Sequence, residues 1–504
     1  MHWKSLAKTA LLGTERSALP KEVLQFLMEQ GLDTQKDPSE VILEAAALFS
    51  QMNKAGFPLK KLEGKMPPSV GDDDEQPCTA RSSHHLKLIL DGTFEEALSE
   101  FIFHLNFNNK QLPPSSLPDL LKQCKTDKNL WDKIHPAIGK RGYWLMTQNP
   151  EWKSLIALPN EEVWKSGNKE ERITLLKYFR KESPEKSIEL LEGVWEKESY
   201  QNRVDFLKIF KINLSKNDES FLENCLYDSR NEVRKIAANL LAQIPHSELV
   251  ERMYWRIEMS MKFENKKLEI ELPDEIDETA LRDGINPKMA SYRSGLKAGY
   301  FGQMLSKVPP RRLELFFDKS PIEILQIFAH SDWTALLIQA VIESTILNKN
   351  EHWMEAILGL WLQNEDYPIW QNSSAKELLG MIPNKLFNQF TLKSLEQTKG
   401  LPEENSPAAQ LLRLGKHEWD DQLTLIVIKR FQYWLSDTTT FYWDSSYYKK
   451  ILQTAAYKAN PTLYDALKSG WNYHAPTYGQ WQPDIELFLR TLVFRKEMIA
   501  ELEK

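Results

Sequence analysis

The sequence predicts an all-α fold: an α-solenoid of stacked helix pairs carrying a short extended insertion near residues 268–285. Three observations predict it. Apolar residues recur at helical spacing through most of the 504 residues, and strand-like alternation is scarce. A repeat with a 31-residue period runs between Asn160 and Leu241. Elsewhere an apolar–Pro junction recurs at irregular intervals.

The repeat is the sharpest of the three. Segments RITLLKYF (from Arg172), RVDFLKIF (from Arg203) and RKIAANLL (from Arg234) follow one another 31 residues apart. In each copy the third, fourth and seventh residues after Arg are apolar: Leu175, Leu176 and Phe179, then Phe206, Leu207 and Phe210, then Ala237, Ala238 and Leu241. Positions i, i+1 and i+4 share a helix face, so each copy carries one buried stripe. Upstream, Val163, Val194 and Cys225 form one column, and Trp164, Trp195 and Leu226 another. Each unit is therefore two helices, the first carrying the Trp column and the second opening with Arg, as in repeats of the HEAT or armadillo kind. Ser183-Pro184-Glu185 reads as an N-cap followed by Pro in the first turn, and Asn217-Asp218-Glu219 as a similar start.

The junctions are Leu155 to Pro159, Leu241 to Pro245, Leu305 to Pro309 and Leu379 to Pro383. Each Pro stops the incoming helix and is tolerated in the first turn of the next. An apolar residue follows four places later: Val163, Leu249, Leu313 and Phe387. The organisation expected is an N-terminal helical segment over 1–62, a linker over 63–83, helical repeats over 84–260, an inserted loop or short strand over 261–293, further repeats over 294–430 and an aromatic-rich C-terminal helical segment over 431–504. The linker is marked by Pro67-Pro68, Gly71 and the acidic run 72–75. The insertion is marked by the alternation of Leu268 to Leu272.

Composition narrows the function classes. The formal net charge is −7, which opposes a general attraction for phosphate backbones. Three widely spaced cysteines, Cys78, Cys124 and Cys225, imply no disulfide framework and suit a reducing compartment. No run approaches the ~18 apolar residues of a membrane span, and the first sixteen residues hold no stretch of signal-peptide type. A cytoplasmic location is expected. The sixteen Trp demand deep packing.

Catalytic signatures are missing. There is no Gly-x-x-x-x-Gly-Lys-Ser/Thr, Gly-x-Gly-x-x-Gly, Gly-x-Ser-x-Gly, His-Glu-x-x-His or Cys-x-x-Cys. His84 and His85 follow Cys78, but adjacent histidines point apart on a helix, so no metal is assigned. Cys225 lies in an apolar column and is expected to be a buried small hydrophobe. No catalytic, cofactor or metal residue is named. The candidate interaction residues are Lys140, Arg141, Trp144 and Trp152 in a Gly139–Trp152 block, the column Arg172, Arg203 and Arg234, and Trp481 in an aromatic loop. Each has a plain structural alternative. The block reads as a glycine-capped helix C-terminus followed by an aromatic helix. The arginines read as pairs with acids of neighbouring units, and the rings as core.

Several blocks resemble a bacterial family of uncharacterised helical-repeat proteins, a domain of unknown function. They are LLGTER (from Leu11), Cys78 with Leu86, Leu88 and Asp91-Gly92, Leu117 to Leu121, Gly139 to Trp152, Arg282-Asp283-Gly284-Ile285 and Val308-Pro309-Pro310. The resemblance runs to about residue 430. Genes of that family tend to lie beside those for a MoxR-type ATPase, a von Willebrand factor A-domain protein and a SWIM zinc-finger protein, which implies an accessory role in an ATPase-linked assembly. The expected function is a non-catalytic protein-binding scaffold. The alternative is a HEAT-like nucleic-acid-binding protein or DNA-acting enzyme.

Overall fold

The computed structural model of the chain describes residues 2–55, 70–71, 78–156, 162–272, 277–286, 295–363, 370, 372–437 and 445–504. Among the described residues the regular elements are helices apart from one two-stranded hairpin, an all-α helical-repeat fold. Two compact units divide at 69/70, inside the stretch read as a linker; the acidic run 72–75 and Pro159 lie outside the described residues.

The first unit holds α1 (His2–Leu12), α2 (Lys21–Glu29) and α3 (Pro38–Ala55). Leu6, Val23, Leu27, Val41 and Ala45 close its small core, where Phe26 stacks on Phe49.

The second unit begins with α4 (Ala80–Leu90), α5 (Leu98–Phe107), α6 (Leu117–Gln123), α7 (Lys128–Ile134), α8 (Gly139–Gln148) and α9 (Pro150–Ile156). The Thr79 side chain caps α4 by accepting from the Ser82 N–H.

The 31-residue repeat follows as α10 (Glu162–Ser166), α11 (Lys169–Glu182), α12 (Pro184–Glu192), α13 (Tyr200–Ile209), α14 (Glu219–Cys225), α15 (Asn231–Leu241) and α16 (Glu248–Ser260). All nine stripe residues of the three Arg-led helices are buried, as are Trp164, Trp195, Cys225 and Leu226. Pro184 opens α12 as expected, but Ser183 makes no side-chain cap bond. The start near Asn217 also differs: Ser215 and Asp218 form a capping box over a short 3-10 turn, and α14 begins only at Glu219.

The insertion is more regular than the sequence suggests. β1 (Met261–Glu264) pairs antiparallel with β2 (Lys267–Ile270), Met261 facing Ile270. Asn265 and Lys266 turn the chain with φ of 52° and 62°, the pair of left-handed residues a tight hairpin needs. β1 escapes notice because it continues directly from α16, which ends at Ser260. A one-turn helix, α17 (Glu278–Arg282), follows. Gly284, at φ +84°, then presses its backbone onto α15, where a Cβ would lie 2.9 Å from that of Ala238.

The remaining helices are α18 (Leu296–Leu305), α19 (Pro310–Phe317), α20 (Pro321–Ala329), α21 (Thr334–Asn348), α22 (Glu351–Gln363), α23 (Ser373–Leu379), α24 (Asn384–Glu396), α25 (Pro407–Arg413), α26 (Asp421–Ser436), α27 (Ser445–Lys458), α28 (Tyr464–Leu467) and α29 (Tyr478–Leu502). Pro309 and Pro383 act as expected, immediately preceding α19 and α24, whereas Pro245 lies in the turn before α16, whose N-cap is Ser247; Leu249, Leu313 and Phe387 are buried.

One arrangement has no counterpart in the sequence reading. Helix α29 packs on α27 and also on α4 and α5, so the helix that ends the chain covers the helices that open the same unit. Phe494 stacks on Phe94 at 3.9 Å, and Met498 and Leu502 complete the core of α4–α8. Buried Arg495 holds both Glu100 oxygens at 2.6 and 2.7 Å and donates to the carbonyls of Ala456 and Ala459. The carboxylate and carbonyl acceptors together repay the desolvation of a guanidinium that is 1% exposed.

Candidate functional site

The arginine column is spent on the stack itself. Arg172 lies over the Trp164 ring at 4.2 Å and meets Glu198 of the next unit at 2.5 Å. Arg203 repeats this with Trp195 at 5.9 Å and Asp228 at 3.1 Å. Arg234, facing the insertion, donates to the carbonyls of Asp228 and Leu281. Arg172 and Arg203 thus each lock one unit to its successor, stacking behind and pairing ahead, whereas Arg234 bonds to backbone carbonyls.

Two polar clusters nearby were not legible. At the end of α11, Arg180 grips Asp218 with two bonds of 2.6 and 2.9 Å, both side chains fully buried, and also donates to the carbonyls of Ile212 and Asn213. Fully buried Asp283 accepts from Arg252, Arg256 and Arg282. Burial pushes its carboxyl up, but the bonds from Arg252 and Arg256 prevail and hold it below the usual range. Only the Arg282-Asp283-Gly284 block hinted at this hub.

The Gly139–Trp152 block corrects the expectation of a helix end. Gly139, at φ +64°, begins α8, so Lys140 and Arg141 occupy a first turn, where the helix dipole opposes cations. Gly142 touches Ile138 so closely that a Cβ would sit 1.9 Å from its Cγ1. Lys140 is exposed; Arg141, Trp144 and Trp152 are half-buried, Trp152 against the α4–α8 core. Trp481 is core, 3% exposed between Phe431 and Trp434, and Lys449 lies over its ring. The ring exposed in that loop is Tyr473. The structure therefore brings none of the three groups into one site.

What it does form is a groove along α22, flanked by α20 and α24. Its volume is about 500 Å³. His352, Glu355, Ala356, Gly359, Leu362 and Gln363 lie at i, i+3/i+4 and i+7 spacing on one face of α22, and at its centre two small residues lower the helix surface. Ile322, Ala356, Leu362 and Phe390 make the apolar floor; His352, Glu355, Lys393 and Gln397 make an exposed rim of both charge signs. The Ser320 hydroxyl is engaged, donating to Glu323 in a capping box. The groove can hold apolar side chains under a polar edge.

Other reactive groups are inaccessible or isolated. Cys225 is fully buried, and burial pushes its thiol well up; Cys78 and Cys124 are raised to about 11 by burial. Lys307, at the α18–α19 junction, is 8% exposed, and among the described residues its Nζ has only the Ser306 hydroxyl at 3.5 Å. Burial pulls this amine down to about 8, against the pull of Glu343. Among the described residues no cluster of His, Cys, Asp or Glu could hold a metal ion, and no helix is long and apolar enough to cross a membrane.

The profile of a family of unknown function, DUF5691, matches residues 5–502, and so extends through the C-terminal part where the resemblance had been placed as ending. No curated protein matches the chain. Among solved structures, the crystal structure of an engineered protein is 13% identical, covering 84% of this chain and 99% of that one, at a TM-score of 0.25, a likeness too slight to bear on the fold.

Proposed function

The chain belongs to the DUF5691 family of unknown function, and from that premise we propose that it is a non-catalytic protein-binding scaffold. The observation that carries the reading is the α22 groove: an apolar floor, a two-signed rim and small residues at its centre, the make-up of a seat for side chains of a partner segment. Of the aromatic residues in the C-terminal segment, Phe431, Tyr447, Trp471 and Trp481 are core and cannot stack on bases, while Tyr433 and Tyr473 are exposed. For the partner we propose a subunit of an ATPase-linked assembly, of the MoxR or von Willebrand factor A type, as the family resemblance implies. We place the protein in the bacterial cytoplasm; its three free thiols suit a reducing compartment.

The test is an affinity pull-down from lysate of the native organism with the wild-type chain and with Gly359→Phe. A Cβ at Gly359 would meet Ile322 Cδ1 at an ordinary 3.6 Å, so the ring fills the groove without opening the helix. An ATPase or von Willebrand-type protein held in stoichiometric amount by the wild type and lost from the variant, at unchanged melting temperature, supports the reading. A chain that captures no partner and turns over a small molecule overturns it.

A further inference from the structure

A second surface, away from the groove, carries a pattern of its own. Arg230, at the start of α15, lies over the exposed ring of Tyr200 at 5.3 Å. Its guanidinium has no hydrogen-bond acceptor or ion-pair partner among the described residues, although Arg172, Arg203, Arg252, Arg256 and Arg282 around it are all paired. Three residues earlier, Tyr227 is 71% exposed, and Arg282 stacks on it at 5.4 Å while donating to its hydroxyl. Arg282 joins the Asp283 hub, and so do Arg252 and Arg256 of α16. On that same face of α16, at i+3 and i+7 from Arg252, stand Trp255 and Met259, both more than 60% exposed. The ring–cation pairs Tyr200–Arg230 and Tyr227–Arg282 and the exposed Trp255 thus lie on successive elements between α13 and α17.

We propose that this strip is a docking surface for an extended acidic segment of a partner protein, a reading that rests on the scaffold function and names the chemistry of what is bound. Exposed Trp, Tyr and Arg at such density are the residues that dominate protein interfaces. The charge pattern selects the occupant. Three of the arginines already share Asp283, with Glu223 also on Arg252 and Asp277 near Arg256, so the strip lacks the row of free cations that a phosphate backbone requires. One guanidinium is left over, lying over a ring with its N–H fork unoccupied among the described residues, which fits a single carboxylate bound through two parallel hydrogen bonds. Apolar side chains flanking that carboxylate meet Tyr227 and Trp255.

The experiment is panning of a random peptide library against the full-length protein, with clones re-measured on Arg230→Ala, Arg230→Lys, Trp255→Ala and Gly359→Phe. All three positions are at the surface or in the open groove, and each of the four variants is first checked for an unchanged melting temperature. The expected result is enrichment of peptides pairing Asp or Glu with apolar residues. Their affinity falls about tenfold or more in Arg230→Ala and Trp255→Ala, is not rescued by Lys, and is untouched by Gly359→Phe. Failure to enrich peptides, enrichment without acidic residues, or binding indifferent to Arg230 overturns the proposal. Peptides sensitive to Gly359→Phe alone would leave the groove reading standing while this one falls; a single-stranded oligonucleotide that displaces the selected peptides would overturn it in favour of a nucleic acid.

Discussion

The helices between Glu162 and Ser260 and those between Leu296 and Glu396 are built alike and held together differently. In the first block the joints are directional: Arg172 on Trp164 and Glu198, Arg203 on Trp195 and Asp228, Arg180 locked on Asp218. In the second they are made of bulk. Trp353, Trp361 and Trp370 are almost wholly buried, and α21 buries Leu336, Leu337, Ile338, Ala340, Val341 and Ile342 around most of its circumference. A directional joint tolerates one register, so its residues must recur at fixed spacing; an apolar joint asks only for volume. This is why the 31-residue period is visible in the first block and absent from the second.

The contrast is sharpest in what becomes of a buried cation. Arg180→Ala leaves Asp218 fully buried without its partner, so a loss of about 3–5 kcal/mol is expected in urea denaturation. Arg180→Met with Asp218→Leu should recover much of that loss; a single variant costing under about 1 kcal/mol would break the comparison.

Removing Lys307 from the second block should do the opposite. Its amine sits at about 8 in the folded chain against 10.5 ordinarily. Below pH 8 both folded and unfolded chains carry the proton, and the full desolvation cost is present, on the order of 3 kcal/mol. Between pH 8 and 10.5 the unfolded chain binds more protons than the folded one, so stability rises with pH until the cost is gone. Lys307→Met is therefore expected to raise the melting temperature at pH 7 and to lose that advantage by about pH 10. Equal melting of the two chains at pH 7 would show the amine to be solvated.

The smallest effects concern helix starts in the first block. Asn168 and Glu171 form a reciprocal capping box on α11, and Asn168→Ala should cost about 1 kcal/mol. Ser183→Ala on α12, whose side chain makes no cap bond, should stay within about 0.5 kcal/mol. Equal losses at the two positions would mean that Ser183 caps in solution.

The sequence by itself determined the helical class, the repeat register and the junction prolines. Each of these is written in residues a few places apart, where the 3.6-residue turn makes a buried face periodic. It also placed Cys225 inside and put the arginine column beside its acids as one of two readings. It did not determine the partner of Arg495, because Glu100 lies 395 residues away, and no local pattern records which distant helix closes on which. Nor did it mark Asp218 as the counter-ion of Arg180, since in sequence that residue reads as one more helix-start acid. The α22 groove and the strip around Arg230 were likewise decided only by the tertiary structure. A docking surface is made of side chains that packing leaves uncovered, and which ones those are depends on how neighbouring helices are set against each other.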